Sequence, residues 1–215
     1  MTTNQDDDDL KPTFAEGYKP GQKKTLDEYA NLDKEDESLA RWKESLGIKP
    51  GGGPPPAVDP NDPRKAGVVI ISLAMEVAGR DDVVLDMSNQ AAIENLRKTP
   101  FTIKEGTMYQ LKVKFRIQHD VVSGLRYIQT VKRLGVRVDK CEEMIGSYGP
   151  NTNSEPYERK CIYPSSMRLI TIVNQEEAPK GMMARGDYEA TSAFVDDDCM
   201  EHIRFHWAFK ISKSW

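Results

Sequence analysis

The sequence predicts an all-β protein: an immunoglobulin-like antiparallel β-sandwich that follows a largely disordered N-terminal arm with a short helical hairpin. The segment 108–118 alternates strictly between apolar and polar residues, as a strand with one buried and one solvated face does. The segment 202–212 repeats this alternation. Because parallel sheets are covered on both faces and read as continuous apolar runs, the alternation favours antiparallel pairing. The inward faces are predicted to be Tyr109, Leu111, Val113, Phe115 and Ile117 in the first segment and Ile203, Phe205, Trp207, Phe209 and Ile211 in the second.

The third observation is a contrast in charge between the two parts of the chain. Residues 1–60 have a net charge of −5 and little apolar periodicity, whereas the remaining residues have a net charge of +1. We therefore divide the chain into a flexible acidic regulatory arm, residues 1–63, and a sandwich domain, residues 64–215. An acidic arm on a near-neutral body argues against nucleic-acid binding, which requires a basic surface. The arm then serves either solubility or attraction to a basic partner.

Within the arm, residues 1–24 are predicted to be disordered, and a helical hairpin is expected at about 25–47. Thr25 and Glu28 form a capping box at the start of the first helix, and Asp36 supplies a start signal for the second. Each helix is short enough to be marginal alone in water and carries an apolar stripe. The hairpin either folds back on its own sandwich or becomes ordered on a partner, and spacing alone favours neither.

Residues 50–63 are rich in glycine and proline and are predicted to be a linker. A phosphate-binding loop is excluded there because no strand precedes it and no GK[ST] follows. After Val68, about eight or nine short strands separated by turns indicate an immunoglobulin-like sandwich. Besides the two segments above, strands are expected at 68–77, 83–87, 100–106, 125–133, 135–149 and 188–195.

No catalytic or metal-binding constellation is found in the sequence, so neither an enzyme nor a bound cofactor or metal is expected. His202 and His206 are predicted to lie on the exposed side of a strand with no third ligand nearby. There is no GxSxG, HExxH, P-loop or dinucleotide motif. Three widely spaced cysteines fit reduced thiols better than a disulfide framework. No secretory signal or membrane-spanning apolar run is visible, so a cytoplasmic protein without stable membrane insertion is expected.

The predicted core is rich in methionine and aromatic residues, with Met75 in an early strand and Phe205 and Trp207 in the last one. Such a composition fits a large solid sandwich core. It also fits an adaptable pocket for a flexible apolar ligand. The pattern alone favours the solid core.

Six segments of the chain resemble signature segments of the Rho GDP-dissociation inhibitors. They are LDKEDESL (32–39), KEG (104–106), VSGLRYIQ (122–129), SYGP (147–150), EEAPKGMMARG (176–186) and FVDDD (194–198). The similarity runs in order from about Tyr18 to Trp215. It implies a monomer that forms a one-to-one complex with GDP-bound, prenylated Rho-family small GTPases. Such a protein slows nucleotide exchange and extracts the GTPase from membranes by burying its geranylgeranyl tail between the two sheets.

The resemblance also implies which residues make these contacts. Asp36 matches a family aspartate that hydrogen-bonds the switch region of the GTPase, and Asp197 and Asp198 match acidic residues that meet basic GTPase surface. The implied GTPase-binding set is Leu32, Asp36, Glu37, Ser38, Leu39, Asp197 and Asp198. The implied prenyl-binding set is Met75, Phe101, Tyr109, Val121, Met183, Phe205 and Trp207. Relatives often carry tryptophan where this chain has Phe205, which bears on the shape of the pocket.

The chain departs from the family around residues 161–173, where about a dozen residues are inserted between Tyr157 and Glu176. The insertion would form an edge strand or a long mobile loop, or it is an artefact of gene prediction. Two other functions are compatible with the same sandwich. One is a general carrier of lipidated proteins that does not distinguish nucleotide states, and the other is an immunoglobulin-like interaction domain that binds no lipid.

Overall fold

The computed structural model describes most of the region after residue 66 and parts of the arm. The described residues are 9–14, 16–18, 24–33, 35–45, 48, 67–77, 79–118, 120–151, 155–161 and 176–215. The predicted linker at 50–63 and most of the insertion at 161–173 lie outside these residues. Among the described residues, no helix is long and apolar enough to cross a membrane.

The arm contains the two predicted helices, α1 (Leu26–Asn31) and α2 (Glu37–Ser45). The capping box of α1 is confirmed: the Thr25 hydroxyl accepts from the Glu28 amide, and the Glu28 carboxylate accepts from the Thr25 amide. Asp36 caps α2, because its Oδ1 accepts from the amides of Ser38 and Leu39 at 2.9 and 3.2 Å. The Lys43 ammonium donates to the Leu32 carbonyl and so connects the two helices.

In the part of the chain that the structure describes, ten strands form two five-stranded sheets, and a further short helix, α3 (Gln90–Asn95), lies between two of the strands. Sheet A has the order β2-β1-β4-β7, and β8 also pairs with β4. Its strands are β1 (Gly67–Val77), β2 (Val83–Asp86), β4 (Met108–Gln118), β7 (Tyr157–Cys161) and β8 (Glu176–Glu177). Sheet B has the order β3-β10-β9-β5-β6. Its strands are β3 (Phe101–Lys104), β5 (Val122–Arg133), β6 (Val136–Tyr148), β9 (Gly186–Val195) and β10 (Glu201–Ser212). The predicted all-β sandwich is confirmed.

One pair of strands departs from the predicted antiparallel arrangement. β3 runs parallel to β10, with Phe101 opposite Phe209, whereas the other described pairs are antiparallel. No hairpin joins β3 to β10; instead β3 continues through residues 105–107 into β4 of the other sheet. Its direction is therefore set by this crossover between sheets and not by a turn.

The core lies between the inward faces that the alternation predicts. In β4, Val113 and Phe115 have no exposed surface, and in β10 Phe205 is 1% exposed. The predicted polar face of β4 is only partly solvated, since the Lys112 ammonium lies 2.5 Å from a Glu76 carboxylate oxygen on the neighbouring β1. Neighbouring strands are therefore connected by an ion pair on the outer face of sheet A.

His202 does not lie on the exposed side of β10 as predicted. Its side chain is 2% exposed, and its Nε2 lies 2.9 Å from the equally buried carboxylate of Asp196. The pairing of β10 with β9 contains an irregularity between Glu201 and Ile203, and this breaks the alternation at His202. His206, beyond the irregularity, is exposed as predicted.

Part of the segment predicted to be disordered contacts the sandwich. Leu10 is 2% exposed and packs with Ile128, Ala193 and Val195 on the outer face of sheet B. The Asp9 carboxylate pairs with the Arg137 guanidinium on β6. An apolar anchor and an ion pair thus fix residues 9 and 10 on a surface that would otherwise expose apolar area.

Candidate functional site

The candidate ligand site is an apolar cavity between the sheets. It lies beneath the edge formed by β2 in sheet A and β3 in sheet B. Four of the seven residues implied as prenyl-binding line it: Met75, Phe101, Tyr109 and Trp207. The other lining residues are Leu73, Val83, Leu85, Ile103, Leu111 and Phe209.

Strand pairing brings these side chains together from distant parts of the sequence. In sheet A, β1 and β4 pair with Met75 opposite Leu111. In sheet B, the parallel pairing of β3 with β10 sets Phe101 beside Phe209, and the Phe101 ring stacks on Trp207 with centroids 5.6 Å apart. The site therefore depends on the crossover that delivers β3 to this edge.

A buried polar network fixes the orientation of Trp207. Its indole Nε1 donates to the Ser192 hydroxyl at 2.9 Å, and the same hydroxyl oxygen lies 2.9 Å from the Tyr127 hydroxyl. Tyr127 in turn donates to the Gln129 side-chain oxygen at 2.6 Å. With its polar atom satisfied on sheet B, Trp207 can present its ring to the cavity without an unpaired donor.

The cavity is almost closed, with a volume of about 20 Å³. A space of this size holds roughly one water molecule. Sites for drug-sized ligands have volumes of about 300–1,000 Å³. The described lining offers hydrophobic contact and aromatic stacking but no charged group. A long apolar chain could occupy it only if the sheets separate or lining side chains move.

The other three residues implied as prenyl-binding do not line this cavity. Phe205 is 1% exposed and packs in the core against Phe194, with ring centroids 6.5 Å apart. Val121 precedes the start of β5, whereas the cavity lies at the level of the strand's end. Met183 is 87% exposed in a turn after β8, where the Arg133 guanidinium donates to its carbonyl.

At the opposite end of sheet B, Asp197 is held in a network of contacts. Its Oδ1 accepts from Arg126 at 3.0 Å, and its Oδ2 accepts from the Tyr18 hydroxyl at 2.9 Å. The carboxylate also occupies the space beside Gly124, where a Cβ would lie 2.1 Å from it and where φ is +58°. Asp198 is exposed. Of the two implied acidic contacts, only Asp198 is presented to solvent, because Asp197 is engaged within the chain.

Sequence reasoning missed that the arm contributes Tyr18 and neighbouring residues to the contacts around Asp197. Phe14 stacks on Tyr18 with centroids 5.5 Å apart, and Arg126 lies over the Phe14 ring at 5.0 Å. Arg126 also donates to the Thr13 carbonyl at 2.9 Å. The hydrogen bond to Asp197 is the main cause that raises the pKa of Tyr18 above its usual value. Isolated aromatic residues in an acidic segment have no periodicity, so no sequence signal marked this contact.

The second implied surface is acidic and lies on the helical hairpin. Asp36, Glu37 and Leu39 line an open concavity with Asp33 and Glu35. Hydrogen bonds, above all from the Ser38 side chain, lower the pKa of Asp36 and keep it ionised. Leu32 is 39% exposed, and Ser38 is also exposed. The five implied arm residues are therefore neighbours on one exposed segment, with Asp36 committed to capping α2 through one oxygen.

The described residues contain no cluster of three or more side chains suited to a metal ion. His206 lies 3.0 Å from the Thr191 hydroxyl, and His202 is paired with Asp196, so the two histidines belong to separate contacts. His119 lies outside the described residues.

Residues 2–214 match the family model described as RHO protein GDP dissociation inhibitor. The "Rho GDP-dissociation inhibitor" of Schizosaccharomyces pombe is 50% identical over 195 residues, which are 91% of this chain and 85% of that protein. The protein of the same name from Saccharomyces cerevisiae is 40% identical over 91% of this chain and 90% of its own length. "Rho GDP-dissociation inhibitor 1" of Homo sapiens is 39% identical over 92% of this chain and 86% of its own length.

Proposed function

The chain belongs to the Rho GDP-dissociation inhibitor family, and from this premise we propose that it binds GDP-bound, prenylated Rho-family GTPases. It slows nucleotide exchange and extracts these GTPases from membranes by burying the geranylgeranyl tail between its sheets. The observation that carries the proposal is the apolar cavity, to which four of the seven implied prenyl-binding residues contribute. Family membership indicates a regulator of GTPases and not an enzyme.

Burial of the tail is the thermodynamic basis of extraction. A membrane stabilises a lipid chain by about 0.8 kcal/mol for each buried CH₂ group. A soluble carrier must offer similar burial, which the methionine and aromatic lining supplies. Because the cavity has a volume of only about 20 Å³, part of that gain must be used to open the sheets. The net affinity is the difference between the two terms.

We assign recognition of the GTPase to the arm and to Asp198. The acidic concavity on the hairpin suits a basic or amide-rich surface of the partner. A hairpin that binds the switch regions only in their GDP conformation slows exchange through its difference in affinity for the two states. Asp197 joins this surface only if its contact with Tyr18 is given up or shared. We further propose that the protein acts as a cytosolic monomer in a one-to-one complex, with the arm and sandwich dividing at residues 63 and 64.

The test is sedimentation of liposomes that carry geranylgeranylated, GDP-bound Rho-family GTPase. We expect the wild-type protein to move the GTPase into the supernatant. The Trp207→Leu variant should extract about tenfold less, because it removes a stacked ring from the cavity, while its affinity for unprenylated GTPase stays the same. Phe194→Leu is the matched control, since Phe194 is equally buried in the core but does not line the cavity.

Three outcomes distinguish the inhibitor from the other functions of such a sandwich. Equal losses for both variants, or equal losses for prenylated and unprenylated GTPase, would contradict the cavity assignment. Full extraction of the GTP-bound form by a protein lacking residues 1–63 would favour a general carrier of lipidated proteins. Failure of the wild-type protein to bind a geranylgeranylated peptide would favour a non-lipid interaction domain, which the small cavity volume also fits.

A further inference from the structure

Two turns at one end of the sandwich expose large apolar side chains. The β5–β6 turn carries Leu134, which is 94% exposed, and Val136 follows it at 67%. The turn after β8 carries Met182 and Met183, which are 81% and 87% exposed. We call these four residues the apolar rim. Single exposed apolar residues are common on protein surfaces, but four such residues on two neighbouring turns form a feature that requires a reason.

Leu134 is an unfavourable residue for its position in the fold. It occupies the first position of a two-residue hairpin turn, with φ of 50°, and Gly135 follows with φ of 79°. Turns with positive φ at both positions favour Asn-Gly, because a branched apolar side chain is strained there. Leu134 therefore costs backbone strain and also exposes apolar surface. A residue that is unfavourable for folding in both respects indicates a role in contact with another molecule.

The two turns are tied together by one side chain. Arg133, at the end of β5, donates to the carbonyls of Met183 and Arg185, the latter at 2.6 Å. These bonds hold the turn after β8 beside the β5–β6 turn. The apolar rim is thus a single surface with a fixed arrangement.

The apolar rim lies at the same end of the molecule as the apolar cavity. The Arg133 guanidinium lies over the Tyr188 ring at 5.4 Å, and Tyr188 stacks on Phe209 with centroids 5.1 Å apart. Phe209 lines the cavity. Two side-chain contacts therefore lead from Arg133, which binds the exposed turn, to the place assigned to the tail.

The charge around the apolar rim differs from that of the whole protein. The chain has a net charge of −4, but residues 132–140 contain four basic residues and one acidic residue. Residues 180–187 add Lys180 and Arg185 against Asp187. Even when Asp9 and Glu105 are included, which pair with Arg137 and Arg185, the basic residues are in excess. Exposed apolar side chains surrounded by basic ones suit the interface of an anionic bilayer.

We propose that the apolar rim inserts into the headgroup region of an anionic membrane and positions the cavity end of the protein on the bilayer. This inference rests on the proposed function, since it gives the protein a place to dock while it takes up the tail. The basic surroundings favour a lipid surface over a second copy of this acidic chain. Contact is transient, because four side chains on two turns insert little apolar area.

The experiment measures flotation of the protein alone with vesicles of phosphatidylcholine, with and without about 30% phosphatidylserine, an amount that gives a strongly negative surface. The test variant combines Leu134→Asn, Val136→Thr and Met182→Gln, all at exposed rim positions outside the implied prenyl-binding set. Leu134→Asn creates the Asn-Gly pair that this turn favours, so the variant should fold and melt no lower than wild type. Met144→Gln is the matched control, because Met144 is 52% exposed on β6 and pairs with Arg126, away from the apolar rim.

We expect the wild type and Met144→Gln to float with anionic vesicles and to dissociate as salt is raised, and the triple variant to bind about tenfold more weakly. The triple variant should also extract prenylated GTPase more slowly while binding a soluble geranylgeranylated peptide like wild type. The inference is overturned if the wild type does not float, or if the triple variant floats as well as the wild type. It is also overturned if Met144→Gln loses as much flotation as the triple variant. A wild-type dimer in sedimentation that is absent in the triple variant would also overturn it, because the apolar rim would then be an interface between two copies of the chain.

The same measurements separate this inference from the proposed function. If the wild type floats through the apolar rim but does not bind the geranylgeranylated peptide, the proposed function fails and the membrane-contacting surface stands. If it binds the peptide but the rim variant floats and extracts normally, the proposed function stands and the inference fails.

Discussion

At the scale of single residues, Glu143 on β6 is an acid with a strongly raised pKa. It is 8% exposed, faces the core side opposite Tyr127 in the neighbouring strand, and burial raises its pKa to about 8. In the unfolded chain a glutamate has a pKa of about 4.3. The folded protein therefore favours the neutral acid, and ionisation at higher pH works against folding.

This gives a prediction for the pH dependence of stability. The contribution of Glu143 is fully present below about pH 4.3 and is lost as pH rises through about 8. Glu143→Gln cannot ionise, so we expect it to match wild type near pH 4.5 and to be more stable at pH 9, by on the order of 2–4 kcal/mol. Urea denaturation at the two pH values measures this. Asp139→Asn, at an exposed position on the same strand, is the control, and an equal gain at both pH values in Glu143→Gln would contradict the assignment.

At the scale of elements, Asp36 joins the stability of a helix to the recognition of a partner. Its carboxylate caps α2, and it is also the residue that the family pattern assigns to the GTPase. Replacement by alanine removes both roles at once, because alanine has no side-chain oxygen to accept from the amides at the start of α2. A weakened complex in that variant would not reveal which role was lost.

A pair of variants separates the two roles. Asparagine caps helices about as well as aspartate, so Asp36→Asn should retain the helix content of the arm and lose only the charge. We expect Asp36→Asn to weaken binding of unprenylated GTPase and Asp36→Ala to weaken it further while lowering helix content in circular dichroism. Neither should change the melting temperature of the sandwich. If Asp36→Asn binds like wild type, the contribution of Asp36 is to shape the hairpin and not to contact the partner.

At the scale of the whole molecule, the arm and the sandwich are joined through residues 9–18 as well as through the chain. Leu10 covers Ile128, Ala193 and Val195, and Tyr18 holds Asp197 at the end of the same sheet. Burial of one leucine side chain is worth about 1.5–3 kcal/mol. The position of the early arm therefore depends on a small number of contacts.

Leu10→Asp is expected to release this segment. The charge would be buried against an apolar surface, so the segment should detach and become open to proteases. Limited proteolysis with chymotrypsin at Phe14, which lies against Arg126 in the attached segment, measures the effect, and Asp9→Asn, which affects only the ion pair with Arg137, is the milder control. Cleavage of Leu10→Asp at Phe14 at the wild-type rate would show that the contact does not protect the segment.

Much of this fold follows from local patterns in the sequence. The alternation in 108–118 predicts both the bounds of β4 and its buried face, and the capping box predicts the start of α1. Both are set by residues a few positions apart. The features that were not predicted depend on contacts between distant residues, as in the parallel pairing of β3 with β10, or on a local irregularity, as at His202.

The residues around the cavity also fall into those that the sequence predicts and those that only long-range packing determines. The sequence pattern places Met75, Phe101, Tyr109 and Trp207 inside, and the family resemblance assigns these four to the tail-binding site. Neither reveals that Phe205, although it faces inward as predicted, packs against Phe194 away from the cavity, or that Met183 is exposed in a turn, because both facts depend on packing between strands. Leu10 has no periodic neighbours, so only the structure shows what it covers.

The small volume of the cavity has a consequence for the empty protein. Because the cavity holds only about one water molecule, the core of the sandwich is nearly complete when no tail is bound. The empty protein therefore requires no substitute ligand to stay folded. In the proposed function, the packing lost when a tail enters is regained when the tail leaves. Closure of the sheets thus favours release of the tail. A membrane or partner needs to bind the tail only slightly more tightly than the protein does in order to take it up.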